Sequence, residues 1–141
     1  EISSMFTYRP GDNFANVEVK IVSPEDKDKM VQYGWSDMKD RRNMYEKSDL
    51  TVSTALGSDL VDTYDGYKDM LFTYGDARKY LDNLPAYCKE ALEASGYKDK
   101  GYVSSFSMSV DDAVISVKHK DANLFKTYRI SEDGSHIVVP E

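Results

Sequence analysis

Val17, Val19 and Ile21 alternate with Glu18 and Lys20, which predicts a strand with one buried face. Before it, Met5–Arg9 reads as a short extended piece, and Pro10-Gly11-Asp12-Asn13 as a turn. After it, Ser23-Pro24-Glu25-Asp26 has the chemistry of a helix start: a capping hydroxyl, a proline where no amide is needed, and acid at the positive end of the dipole. Met30, Val31, Trp35, Met38 and Tyr45 share one arc at helical spacing, so a helix is predicted from Pro24 to about Lys47, broken or kinked near Gly34. Leu50, Val52 and Leu56 then suggest a further strand, with a helix as the competing reading.

From Ser58 the period is again helical. Leu60, Tyr64, Tyr67 and Leu71 form one stripe, and Asp59, Asp62, Asp65 and Asp69 lie on the opposite side. Gly75 and Asp76 end this helix and cap a second, in which Ala77, Leu81, Leu84, Cys88, Ala91 and Leu92 share a face up to Ser95. The phase runs through Pro85, which predicts a kinked helix stopped by Gly96.

Beyond Gly101 the period falls to two. Tyr102, Phe106, Met108 and Val110 mark one strand, Ala113, Ile115, Val117 and His119 a second, Leu124–Ile130 a third and His136–Val139 a fourth. Turns this short force antiparallel neighbours. The whole pattern predicts an α+β fold: a sheet with a C-terminal β-meander, packed on one side by two to four helices from the N-terminal two-thirds. At 141 residues the chain is expected to be a single domain over 1–141, with an N-terminal strand and helices over about 16–95 and antiparallel strands over about 102–139.

Composition narrows the function. Twenty-five acidic residues against 18 basic ones give a net charge of −7. An excess of that sign disfavours nucleic-acid binding through a basic stripe, and docking on anionic membrane surfaces. It suits basic partners. No apolar run is long enough for a transmembrane helix. The start at Glu1 leaves open a cleaved leader, which would make the protein secreted or envelope-anchored, and a trimmed cytoplasmic chain.

The chain contains no nucleophile elbow, phosphate-binding loop, dinucleotide fingerprint or zincin motif. One cysteine, Cys88, lies on an apolar helical stripe, where burial makes it a small hydrophobe rather than a nucleophile. His119 and His136 could meet across neighbouring strands, with Asp111 or Asp112 as a third ligand, but the spacing does not require it, and His119 falls on an apolar face. No catalytic residue, metal or cofactor is therefore expected.

Eleven tyrosines against five phenylalanines favour rims and interfaces, where a large apolar body carries a polar tip. Trp35 beside Gly34, with Tyr33 and Asp37, and the acidic helix face of Asp62, Asp65 and Asp69 are the candidate partner-binding residues. For each there is a plainer role: core packing for the aromatics, an i, i+4 pair with Arg41 for Asp37, and a solvated face for the aspartates. The reading is a non-catalytic acidic module that binds a protein, as an inhibitor or immunity-type protein covering a basic site, or as the soluble domain of an extracytoplasmic protein. The alternative is a ligand-binding or enzymatic pocket between a curved sheet and the helices, which would bring His119, His136 or a shifted carboxylate into an enclosed hollow.

Overall fold

The computed structural model describes the backbone of residues 2–10, 14–38, 41–51, 63–110 and 112–140, and the side chains of 17–34, 63–66, 68–110 and 112–140. The strands are β1 (Ile2–Pro10), β2 (Phe14–Val22), β3 (Lys29–Met38), β4 (Arg41–Thr51), β5 (Gly101–Met108), β6 (Ala113–His119), β7 (Phe125–Ile130) and β8 (Ile137–Val138). Among the described residues between β4 and β5 lie three helices: α1 (Tyr64–Tyr67), α2 (Tyr74–Leu81) and α3 (Leu84–Ser95). Short 3-10 turns follow α1 at Lys68–Met70 and α3 at Lys98–Lys100.

The fold is α+β, with helices packed against antiparallel strands and a C-terminal meander. Neighbours run β4-β3-β2-β1-β5-β6-β7-β8, all antiparallel. Two meanders thus grow outwards from a seam where β1 meets β5 at three positions, Phe6↔Met108, Thr7↔Ser107 and Tyr8↔Phe106.

The C-terminal strands fall where alternation put them. Val103, Phe106 and Met108 of β5, Ala113, Ile115 and Val117 of β6, and Tyr128 and Ile130 of β7 are buried against α3, which contributes Tyr87 and Ala91. A shift of register between Val103 and Ser105 moves Tyr102 out of phase with Phe106 and Met108. The bulge explains why the alternation in β5 is imperfect.

The helix predicted from Pro24 to Lys47 is corrected to a hairpin. β3 pairs with β2 from Phe14↔Met38 to Val22↔Met30, and β4 pairs with β3 from Lys29↔Thr51 to Met38↔Arg41. The residues read as a helix start close the β2–β3 turn instead. Ser23 N–H donates to Lys29 O (2.9 Å), Ser23 Oγ accepts from Glu25 N–H (3.3 Å), and the Asp26 carboxylate accepts from Asp28 N–H (2.9 Å). Serine and aspartate satisfy backbone amides equally well in caps and in turns, and pairing with β2 decides between them. Residues 30, 31, 35, 38 and 45 suit a helical arc, while 31, 33, 35 and 37 suit a strand, so periodicity alone was ambiguous. The strand suggested at Leu50–Leu56 overlaps the end of β4 only at Leu50 and Thr51; residues 52–62 lie outside the described residues.

Two further helix boundaries move. The described part of the helix expected from Ser58 is one α turn that tightens into a 3-10 turn. Gly66 sits within α1, and Thr63 makes no side-chain cap there. The kinked helix expected across Pro85 is two helices. Pro85 occupies the first turn of α3, where its missing N–H costs nothing, and Gly96 ends α3 in the left-handed region at φ 74°.

Candidate functional site

The start of α2 is fixed by a reciprocal pair of side chains. Thr73 and Asp76 form a capping box: Thr73 Oγ1 accepts from Asp76 N–H (3.1 Å), and Asp76 Oδ2 accepts from Thr73 N–H (3.1 Å) and from the Thr73 hydroxyl (2.9 Å). These bonds to Thr73 hold the Asp76 carboxyl below its ordinary range. The box turns the chain sharply after Leu71-Phe72 and sets α2 beside the end of β5.

The result is an open groove of about 260 Å³. Buried Phe72, Ala77 and Met108 lie deepest in its lining, and half-buried Leu71 and Tyr80 and exposed Val110 complete the apolar part. Met70 (38% exposed) and Tyr74 (63% exposed) follow directly in the chain on either side of Leu71–Thr73. Asp76, Lys79 and Ser109 are the polar lining residues. Each is engaged within the chain: Asp76 in the capping box, Lys79 Nζ on Glu132 O (3.0 Å) and over the Tyr80 ring, and Ser109 Oγ on the Asp112 carboxylate (3.1 Å). The groove thus offers a mixed surface, more polar than apolar, in which the side chains of Phe72 and Tyr80 supply the aromatic part.

The residues singled out from sequence are dispersed. Tyr33, Trp35 and Asp37 occupy alternate positions of β3, opposite Val19, Val17 and Ala15 of β2. Tyr33 is half-buried; the side chains of Trp35 and Asp37 lie outside the described residues, as does Asp62. Asp65 is on α1 and pairs with Lys68 (3.6 Å), both largely exposed. Asp69 is exposed on the following 3-10 turn. Asp28 Oδ1 accepts from Tyr64 N–H (2.8 Å), which brings α1 to the β2–β3 turn. Asp65 and Asp69 therefore stand near Asp26 and Asp28, with Lys27, Lys29 and Lys68 interspersed. This is a mixed, mildly acidic corner, and the chain runs from it straight into Leu71-Phe72 of the groove.

The histidines stand outside the groove. His119 is half-buried at the end of β6, its Nδ1 accepts from Asp121 N–H (3.1 Å), and its ring meets Tyr97 edge-on at 5.3 Å. His136 is exposed, with Nδ1 against Ser135 Oγ (2.7 Å). No group of three or more His, Cys, Asp or Glu able to hold a metal occurs among the described residues. Burial pushes the half-buried Cys88 thiol up, away from the reactive thiolate. Among the described residues no helix is long and apolar enough to cross a membrane.

The groove residues were not predicted as a site. Leu71-Phe72 preceding Thr73-x-x-Asp76 is a readable helix start, and placing the cap at Asp76 instead hid the turn that opens the groove. Comparison with family models, with curated proteins and with solved structures found no match for this chain.

Proposed function

We propose that this chain is a non-catalytic binding module that engages a basic protein partner through the α2–β5 groove and the acidic corner beside it. The observation that carries this is the groove itself. It is open, its lining mixes polar groups with Phe72, Tyr80 and Met108, Tyr74 stands exposed in the adjoining chain, and the side chains of Asp76, Lys79 and Ser109 are bonded within the chain. Exposed aromatic surface of this kind anchors protein interfaces. The net charge of −7, with Asp65 and Asp69 near the groove, would speed encounter with a cationic surface. An inhibitor that covers a basic active site is one form of this role. Small-molecule sites run about 300–1,000 Å³ and enclose most of the ligand. An open groove of about 260 Å³ fits a side chain or two of a protein better.

The test places a photo-crosslinking amino acid at Tyr74, with exposed Glu93 on α3 as the control position. The expected result is a discrete protein adduct from position 74 in cells that make the protein, weakened by Asp65→Asn with Asp69→Asn and by raised salt. Equal labelling from position 93 would sink the groove as the contact. An adduct indifferent to salt and to both aspartates would sink the basic partner.

A further inference from the structure

At the opposite end of β5 from the groove, four elements converge. Gly101 pairs with His119, Tyr102 with Lys118, and Lys118 with Phe125. His119 N–H donates to Leu124 O (3.0 Å), closing the β6–β7 turn, and Lys120 N–H donates to Lys100 O (2.8 Å), tying that turn to the 3-10 turn after α3. Leu124 and Phe125 emerge from this end 54% and 67% exposed. The segments that meet there, 98–101, 118–121 and 124–126, carry Lys98, Lys100, Lys118, Lys120 and Lys126 against Asp99 and Asp121, and Asp121 is paired with Lys100 at 2.7 Å. Lys126 is drawn inwards, with Nζ on Ser95 O (2.9 Å) and over the Tyr97 ring, which braces the tip.

We infer that this tip docks the protein on an anionic lipid surface, with Leu124 and Phe125 entering the headgroup boundary and the lysines meeting lipid phosphates and carboxylates. The charge of the whole chain argues the other way only if it is spread evenly, and it is not. Gly101 and Met108 stand seven residues apart along β5, about 23 Å of strand. Screening at physiological salt acts over roughly 8 Å, so acid at the groove end is scarcely felt at the tip. The apolar pair sits beside a turn rather than in a hollow, the shape that enters a bilayer boundary rather than the pocketed shape of a protein hot spot. All five cations are lysines. Protein interfaces enrich arginine, with its bidentate grip on carboxylates, and deplete lysine, whereas lysine on a flexible stem serves lipid interfaces well.

The experiment is sedimentation of the intact chain with vesicles of phosphatidylcholine alone and with about 30% phosphatidylserine. Binding is expected only to the second, and should fall on the order of tenfold in Lys118→Glu with Lys120→Glu. A comparable fall is expected in Leu124→Ser with Phe125→Ser. Circular dichroism should match the parent in both, since all four side chains are exposed. Independently, Phe125→Trp should show a blue-shifted emission on the anionic vesicles, read as a difference from the parent. Absence of binding above the phosphatidylcholine background, or absence of the blue shift, overturns the inference. So does binding that ignores the lysines, and so does retention on polyglutamate beads that equals vesicle binding and ignores Leu124 and Phe125. That last outcome would assign the patch to an acidic protein.

Discussion

Tyr87 is fully buried on α3, and its hydroxyl donates to the carbonyl of Gly134, which also accepts from Asn83 Nδ2 (3.2 Å). Gly134 has φ 73°, and a Cβ there would meet Lys79 O and Tyr87 Oη at 3.4 Å each. One phenol thus ties the β7–β8 turn to both helices. Tyr87→Phe keeps the ring and removes the donor, so we expect a loss of about 1 kcal/mol. In a chain of this length that lowers Tm by about 3–5 °C, which calorimetry can read. Burial pushes the Tyr87 hydroxyl above its ordinary value of 10.0. The folded chain then holds this proton past the pH at which the unfolded chain releases it. Its contribution is whole below the ordinary value and is lost as pH rises through the folded one. Urea midpoints from pH 8 to 11 should therefore fall less steeply in Tyr87→Phe than in the parent. At the acid side the sign reverses for Asp133. Bonds from Ser131 and Ser135 hold its carboxyl below the usual range, so its contribution is present above the ordinary value and disappears as pH falls through the folded one. Asp133→Asn should flatten the loss of stability below about pH 4, followed by the same urea midpoints.

At the scale of elements, the local chemistry that could be read in advance was of two kinds. Alternation made β5 to β7 legible, because each of those strands buries one set of side chains against the helices and leaves the others half-buried or exposed. Cap and turn residues were recognised but twice given the wrong role, at Ser23–Asp26 and at Asp76, because one side chain can satisfy an amide in either setting. β4 was invisible for a different reason. Its sequence RRNMYEKSDLT has no run of alternating apolar residues, and the topology makes it an edge strand, which needs no second buried contact in the sheet. The candidate site shared this fate: the aromatics of β3 were noticed, while the groove depends on a cap that had been placed three residues late. The corrected cap predicts that Thr73→Ala costs about 1 kcal/mol. It should also loosen the lining around Leu71 and Phe72, which would show as faster proteolysis between Met70 and Tyr74.

Across the whole molecule, packing is uneven. Phe106, Ile115 and Val117 are wholly buried at the centre of the β5–β6 ladder, whereas Lys68–Met70 buries no residue and α1 lacks a side-chain cap. Native-state hydrogen exchange should separate the two, with amides of β5 and β6 opening only on global unfolding and those of 64–70 exchanging at least about a hundredfold faster. Equal protection would show that 64–70 belongs to the same cooperative unit as the ladder.

The seam between the meanders also orders events on the ribosome. β1 leaves the ribosome about a hundred residues ahead of its second neighbour, β5, since Phe6 awaits Met108. For much of synthesis the nascent hairpins must therefore carry a bare central strand, and another nascent copy can offer the same hydrogen bonds as the missing one. Crowded polysomes and slow translation through the helical middle are accordingly the conditions under which this chain is most exposed to mispairing.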